Sequence, residues 1–172
     1  MSSGRLYVCS MTKVVDTVRA SGARSLVTIL TAGASLVRPC GIPRERHLSI
    51  AVSDIETNTN GHILAGEEHI DRLLAFFEQW DQTDPLVIHC YAGVSRSPAA
   101  AYVAACALAP HRCEFEVARE LRRMSPTATP NRRLVALADR RLGREGRMAA
   151  AIAAIGRGAD CFEGAPFALE LA

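Results

Sequence analysis

The chain has 172 residues, of which 49% are hydrophobic and 22% are charged, and its formal net charge is +2. These values are typical of a globular protein with a single core, and we expect one domain over residues 1–172. The arginines are scattered and aromatic residues make up only 5% of the chain, so we expect no nucleic-acid partner.

Short apolar runs alternate with longer amphipathic runs in the first half of the chain. The periodicity predicts strands at RLYVCS (5–10), SLVTIL (25–30) and HLSIAV (47–52), and helices at KVVDTVRASG (13–22) and GEEHIDRLLAFFEQW (66–80). Gly22 closes the first helix. PLVIHC (85–90) is apolar at every position but His89 and β-rich, which predicts a strand buried on both faces.

The second half of the chain has a helical pattern. We predict helices over 98–109, 114–124 and 131 to about 141, followed by a tail (144–172) with one more helix and an extended end of unassigned role. The core of the domain would cover about residues 5–143. Strands that alternate with helices predict an α/β fold with a mainly parallel central sheet flanked by helices.

Four cysteines precede an arginine with five residues between them, so this spacing alone identifies no site. The pairs are Cys40–Arg46, Cys90–Arg96, Cys106–Arg112 and Cys113–Arg119. Only the Cys90 pair follows a predicted central strand and leads through a tight loop into a helix. The other three pairs contain a proline or lie within a helix, where a concave ring of amides cannot form, and we interpret them as structural.

The loop after Cys90 is predicted to bind an anion. It lies between the end of a central strand and the start of a helix, for which Ser97 is the expected N-cap and Pro98 the first residue. Loop amides and the helix dipole favour an anion there, and Gly93 lets the backbone curl inward. A cysteine thiolate is favoured at such a position, and Arg96 offers two parallel donors to phosphate oxygens. The loop therefore predicts attack of a Cys90 thiolate on a phosphoester.

The run His89-Cys90-x-x-Gly93-x-x-Arg96-Ser97 resembles the active-site motif of cysteine-dependent protein tyrosine phosphatases. Its YAGVSRSP segment is most similar to the dual-specificity branch. The resemblance implies that Cys90 forms a cysteinyl-phosphate and that His89 supports the loop and the thiolate. It implies that the Ser97 hydroxyl stabilises the thiolate as it departs in the second, hydrolytic step. The implied phosphate-binding residues are Tyr91, Ala92, Gly93, Val94, Ser95 and Arg96.

Enzymes of this kind also need an acid for the leaving oxygen. Functional loops of a parallel sheet gather at the C-terminal ends of its strands. Asp54 directly follows the predicted strand 47–52, so we expect it at the same edge as Cys90, with Glu56 as the reserve candidate. Asp81 and Asp84 precede a strand and belong to the opposite edge, and Asp71 lies inside a helix. The structural alternative for Asp54 is an aspartate that caps its own turn.

Asn131, in TPNRRLVALAD, resembles the Pro-Asn segment that opens a late helix and braces the phosphate loop in these phosphatases. An ordinary helix N-cap is an equally good interpretation.

The resemblance implies a phosphorylated protein or another phosphomonoester as substrate, and no metal or cofactor. The loop lacks the lysines of phosphoinositide 3-phosphatases, and no aromatic loop of tyrosine-only phosphatases is recognisable, so specificity stays open. The alternatives are a phosphate-binding pseudophosphatase and a sulfurtransferase or arsenate reductase with a similar loop.

The cellular compartment of the protein is predicted from its cysteines and its apolar runs. No apolar run approaches the ~20 residues that span a bilayer, and the first ten residues lack the pattern of a signal peptide. Six irregularly spaced cysteines then favour reduced thiols in the cytoplasm. The five histidines are dispersed, with no zinc-ligand spacing. We therefore expect a cytoplasmic protein without a membrane partner or a metal.

Overall fold

The central sheet has five strands and is mostly parallel. The computed structural model describes residues 4–172, and its strands are β1 (Arg5–Ser10), β2 (Ser25–Leu30), β3 (His47–Ala51), β4 (Leu86–Cys90) and β5 (Phe167–Glu170). Their order is β3-β2-β4-β1-β5, and β5 alone runs antiparallel to its neighbour. The predicted α/β fold with a mainly parallel sheet is confirmed.

Helices cover both faces of this sheet. They are α1 (Val14–Ser21), α2 (Glu67–Gln79), α3 (Arg96–Leu108), α4 (Glu114–Met124), α5 (Arg132–Arg141) and α6 (Arg147–Ile155), and short 3₁₀ turns precede α1 and β3. Successive side chains of a strand point to opposite faces. In β4, Val87 accordingly joins the small core under α1, while Leu86 and Ile88 join the large core under the other helices.

The two elements around Cys90 are deeply buried. Every residue of β4 is buried, as its largely apolar sequence predicts. Helix α3 is buried from Arg96 to Cys106, because the sheet lies on one side of it and other helices on the other. The loop between β4 and α3 is therefore held by two elements that cannot move without opening the core.

The predicted start of the helix after Cys90 is wrong by two residues. Helix α3 begins at Arg96, and Ser95 rather than Ser97 occupies the N-cap position. The Ser97 hydroxyl lies 3.0 Å from the Cys90 sulfur, so it is turned toward the cysteine instead of capping the helix. Pro98 remains in the first turn, where a proline lacks no needed N–H.

The predicted extended tail forms the edge strand β5. The side chains of Arg5 and Glu170 form an ion pair at 2.5 Å, and the amide of Leu171 donates to the carbonyl of Gly4 at 3.0 Å. Helix α6 packs against α4 and α5. Residues 1–3, which the predicted domain also includes, lie outside the described residues. From residue 4 onward, no helix combines the length and apolar character of a membrane span.

Candidate active site

Cys90 ends β4, and residues 91–95 form the loop that leads from it into α3. Its side chain is only 2% exposed. The Ser97 hydroxyl is its hydrogen-bonding neighbour, at 3.0 Å from the sulfur. When the sulfur is a thiolate it can only accept, so the Ser97 hydroxyl must then donate to it.

Four of the five carbonyl groups of residues 91–95 are bound by surrounding segments, so they point outward. The bonds, from donor nitrogen to loop oxygen, are Met11 to Tyr91 (3.0 Å), Gly164 to Ala92 (2.9 Å), Thr129 to Val94 (2.8 Å) and Asn131 to Ser95 (3.1 Å). Within residues 4–172, the amides of residues 91–96 donate to no protein group. A loop that turns its carbonyls outward presents its N–H groups to the interior, where they form a concave anion site.

The guanidinium of Arg96 is fixed from one end. Its Nη1 donates to the carbonyl of Val52 at 2.9 Å and to the hydroxyl of Thr31 at 3.3 Å. Its Nε is buried and has no hydrogen-bonding partner among residues 4–172. An unpaired buried donor is costly and rare in folded proteins. The free edge of the guanidinium is therefore arranged to receive an acceptor from outside the chain, and this edge offers the planar fork that fits an oxyanion.

Gly93 is required by both space and backbone conformation. Its φ of +71° lies in the left-handed region, and a Cβ built on it would come within 2.8 Å of the backbone of Cys9 and Ser10. The loop therefore packs directly onto the end of β1. Only a glycine, which has no Cβ, allows this close approach of the two backbones.

His89 is neutral and its tautomer is set by a chain of hydrogen bonds. Burial lowers its pKa to about 4. Its Nδ1 lies 3.1 Å from the carbonyl oxygen of Cys90, which can only accept, so Nδ1 carries the proton. Its Nε2 then accepts from the hydroxyl of Thr28 at 2.8 Å, and His47 donates through Nε2 to the same hydroxyl, also at 2.8 Å. Burial, and secondarily Arg38, lowers the pKa of His47.

Asp54 lies beside the loop, at the C-terminal edge of the sheet. Its Oδ1 accepts hydrogen bonds from the Ser95 hydroxyl at 2.6 Å and from the side-chain amide of Asn131 at 3.0 Å. The Glu56 carboxylate instead accepts from the backbone amide of Arg132 at 3.3 Å. Of the two predicted acids, Asp54 is thus the one that contacts the loop.

The other aspartates considered as acids are engaged elsewhere. Asp81 and Asp84 form ion pairs with Arg46, and Asp71 forms one with Arg141 on α5.

Asn131 joins three parts of the site. Its Oδ1 accepts from the amide of Leu134 at 3.0 Å, so it is the N-cap of α5. Its Nδ2 donates to Asp54 and to the carbonyl of Ile55, and its backbone amide donates to the carbonyl of Ser95. The two interpretations of Asn131 are therefore compatible, because one residue caps a helix and contacts the loop.

The remaining cysteines lie in different surroundings. Cys40 and Cys113 are exposed, outside the β4–α3 loop. Burial raises the pKa of Cys106, inside α3, to about 12, and burial likewise raises the pKa of Cys9 to about 12. These two buried thiols stay protonated at neutral pH. No cluster of three or more potential metal ligands is present in the described part of the chain.

Two threonines and the C-terminal tail contact the site although the sequence did not predict these contacts. Thr28 and Thr31 hold His89 and Arg96, and a polar residue within the apolar run SLVTIL was the one signal for Thr28. The amide of Gly164 binds the carbonyl of Ala92, and Glu163 accepts from Ser10 and Thr12. Nothing in the sequence pattern brings residues 163–164 to residue 92, since the contact depends on the path of the tail.

Comparison with known proteins bears on the fold, which several solved structures share. No family model and no curated protein sequence matches the chain. Human DUSP28 is 15% identical, with 81% of this chain and 94% of that chain covered and a TM-score of 0.62. DUSP15 is 16% identical, with 87% and 90% covered and a TM-score of 0.62. This chain has the fold of dual-specificity phosphatases.

A third neighbour widens the range of activities found on this fold. The human tyrosine phosphatase-like serine/threonine/tyrosine-interacting protein is 14% identical, with 81% of this chain and 92% of that chain covered and a TM-score of 0.62. Its name describes an interaction, so the fold alone does not separate catalysis from binding. The distinction has to come from the residues of the site.

Proposed function

We propose that this protein hydrolyses phosphomonoesters through a cysteinyl-phosphate on Cys90, and that its substrates are phosphorylated tyrosine, serine or threonine residues of proteins. The fold of dual-specificity phosphatases supports the substrate class. The reaction is supported by the loop itself, in which a buried cysteine is followed by backbone amides that have no partner among residues 4–172.

The single observation that carries the proposal is the orientation of Arg96. Two hydrogen bonds hold its Nη1, while its buried Nε has no partner in residues 4–172. Burial of an unsatisfied guanidinium donor costs about 1–3 kcal/mol or more, which is reasonable only where a ligand satisfies it. A phosphoryl group with three equatorial oxygens would accept from this edge and from the loop amides together.

In the first step, the Cys90 thiolate attacks phosphorus and the bond from phosphorus to the leaving oxygen breaks. The carboxylic acid of Asp54 gives its proton to that oxygen. The Ser95 and Asn131 hydrogen bonds both use Oδ1 of Asp54, so the proposed proton is carried on Oδ2. The amides and Arg96 stabilise the charge on the three oxygens that do not react.

In the second step, water attacks the cysteinyl-phosphate and the phosphorus–sulfur bond breaks. The Asp54 carboxylate accepts the proton of the attacking water, and the electron pair of the broken bond returns to the sulfur. The Ser97 hydroxyl, 3.0 Å away, donates to the thiolate as it forms. His89 contributes indirectly, because its Nδ1–H holds the Cys90 carbonyl.

The decisive experiment compares binding with turnover in Cys90→Ser. We expect the wild type to hydrolyse a small aryl phosphate, and the variant to lose this activity while it still binds tungstate in calorimetry. Cys40→Ser is the matched control, because Cys40 is exposed and lies outside this loop. Substantial activity of Cys90→Ser would exclude Cys90 as the nucleophile.

The same assay separates the alternatives. A wild type that binds tungstate but turns over no phosphoester would be a phosphate-binding pseudophosphatase. Turnover of thiosulfate or arsenate instead of phosphoesters would indicate a sulfurtransferase or an arsenate reductase. Loss of activity in a chelator, restored by a divalent ion, would contradict the metal-free mechanism.

We further propose that the protein lies in the cytoplasm and that it forms a single domain. A cytoplasmic location is supported by six free cysteines, three of them exposed, because reducing compartments keep such thiols unpaired. A single domain is supported by the packing of α6 on α4 and α5 and by the pairing of β5 with β1.

A further inference from the structure

The segment between α6 and β5 runs along the edge of the phosphate loop and is anchored on both sides of Phe162. Before Phe162, the amide of Gly158 donates to the Thr129 hydroxyl at 3.0 Å, and the amide of Ala159 donates to the Pro126 carbonyl at 2.9 Å. After it, the amide of Gly164 donates to the carbonyl of Ala92 at 2.9 Å. The segment therefore forms a fixed wall beside the loop.

Glu163 fixes the same segment to the end of β1. Its carboxylate accepts hydrogen bonds from the hydroxyls of Ser10 and Thr12. These two bonds lower the pKa of Glu163, so the carboxylate is negatively charged at neutral pH. A fixed negative charge thus lies next to the phosphate loop.

Between this wall and the loop lies a cavity of about 310 Å³ with a mainly apolar lining. Its walls include Phe162 of the tail, Leu36 of the β2–β3 connection, Met11, and the loop residues Tyr91 and Ala92. Phe162 is 94% exposed and Tyr91 is 64% exposed. Two large aromatic surfaces left open beside one cavity are a feature of binding sites rather than of solvated surface.

We propose that this cavity binds one uncharged apolar or aromatic side chain that neighbours the phosphorylated residue of a peptide substrate. The proposal rests on the proposed function. The cavity and the phosphate loop share Tyr91 and Ala92, so an occupant of the cavity can belong to the same peptide as the phosphate. The volume lies at the lower end of the range of ligand pockets, which is room for a side chain rather than for a second domain.

The charge of Glu163 and the rigidity of the segment around Phe162 determine which side chain fits the cavity. Glu163 lines the cavity and repels an acidic side chain, whereas the carbon surfaces of Leu36 and Phe162 favour an apolar one. Because the segment is already anchored on both sides of Phe162, binding of a peptide loses no conformational entropy through ordering this segment. The subsite therefore selects for apolar residues and against acidic residues at one position of the substrate.

The test uses a series of phosphotyrosine peptides that differ at a single neighbouring position, which carries phenylalanine, leucine, serine or glutamate. The series is repeated for each position within two residues of the phosphotyrosine. We expect one position at which kcat/KM of the wild type is roughly tenfold or more higher for phenylalanine or leucine than for serine. Glutamate should be the poorest residue at that position.

Phe162→Ser should bring the phenylalanine-to-serine ratio of kcat/KM close to 1. Val37→Ser is the matched control, because Val37 is also apolar and 90% exposed but does not line the cavity, and it should keep the wild-type ratio. Both side chains are solvent-exposed, so neither substitution disturbs the core. A preference that persists in Phe162→Ser would overturn the assignment of the subsite.

Failure of the inference can be distinguished from failure of the proposed function. Hydrolysis of a small aryl phosphate tests the function alone, since that substrate has no neighbouring side chain. Calorimetry of the same peptides with Cys90→Ser measures the preference without turnover. Equal dissociation constants for the phenylalanine, serine and glutamate peptides at every position would refute the subsite whether or not the protein is a phosphatase.

Discussion

Acid should lower the unfolding free energy of the protein, because the buried His89 side chain resists protonation. This side chain is fully buried, and burial lowers its pKa from the ordinary 6.5 to about 4. The unfolded chain therefore takes up a proton first as the pH falls through 6.5, while the folded protein keeps the ring neutral. Stability that is fully present above pH 6.5 is lost between about pH 6.5 and pH 4.

The loss of unfolding free energy can be calculated from the lowered pKa of His89. One pKa unit corresponds to about 1.4 kcal/mol, so a change from 6.5 to about 4 corresponds to about 3 kcal/mol of unfolding free energy. Other groups also titrate in this range, including His47, whose pKa is lowered as well. The contribution of His89 must therefore be measured as a difference between proteins.

The assay is urea denaturation at pH 7 and pH 4 of the wild type and of His89→Gln. Glutamine does not titrate, so the variant should lose about 3 kcal/mol less than the wild type between the two pH values, whatever its stability at pH 7. His111→Gln is the control, because His111 is exposed, and it should retain the wild-type pH dependence.

An identical loss in the wild type and His89→Gln would refute the reasoning. The same conclusion would follow if NMR showed the His89 ring of the folded protein to be protonated near pH 6. Either result would mean that the hydrogen bonds from Thr28 to His89 and from His89 to the Cys90 carbonyl do not hold a neutral imidazole.

Three further predictions concern the site. Asp54→Asn should lower kcat by roughly 10²–10⁴-fold for a poor leaving group and by much less for an activated aryl phosphate, whereas Glu56→Gln should not. An equal loss of kcat for both leaving groups in Asp54→Asn would contradict the assignment. Gly93→Ala should abolish tungstate binding and lower the unfolding free energy by about 1–3 kcal/mol or more, because the φ of Gly93 is +71° and the backbone of β1 would lie 2.8 Å from the new Cβ. Calorimetry measures the binding and urea denaturation the stability, and normal tungstate binding would contradict the prediction. Thr28→Val should leave Nε2 of buried His89 without a donor and lower the unfolding free energy by about 1–3 kcal/mol, and an unchanged value in urea denaturation would contradict the hydrogen-bond chain.

The parts of the fold that depend on local pattern could be predicted from the sequence. The run PLVIHC is apolar at every position but one, so its burial on both faces followed directly, and Gly22 ends α1 with a φ of +71°, as a helix-closing glycine does. The edge position of Asp54 followed from strand direction alone. These predictions needed only periodicity and the parallel order of the strands.

The parts that depend on tertiary contact could not be predicted. Ser97 has the sequence context of an N-cap, but its hydroxyl lies against the Cys90 sulfur. The extended end of the tail was predicted, but its pairing with β1 was not, because that pairing depends on the free edge of β1. The anchoring of Glu163 and Gly164 depends on the same docking of the tail.

The position of β1 in the sheet affects how the chain reaches this structure. β1 lies between β4 and β5, and its ion pair from Arg5 to Glu170 joins residues that are 165 positions apart. Contacts between residues so far apart in the sequence form late in folding, because a long loop must close first. Until β5 docks, β1 is an apolar edge strand with unpaired backbone groups, which can pair with another chain. The short strand β5 therefore protects the folding protein from aggregation at this edge.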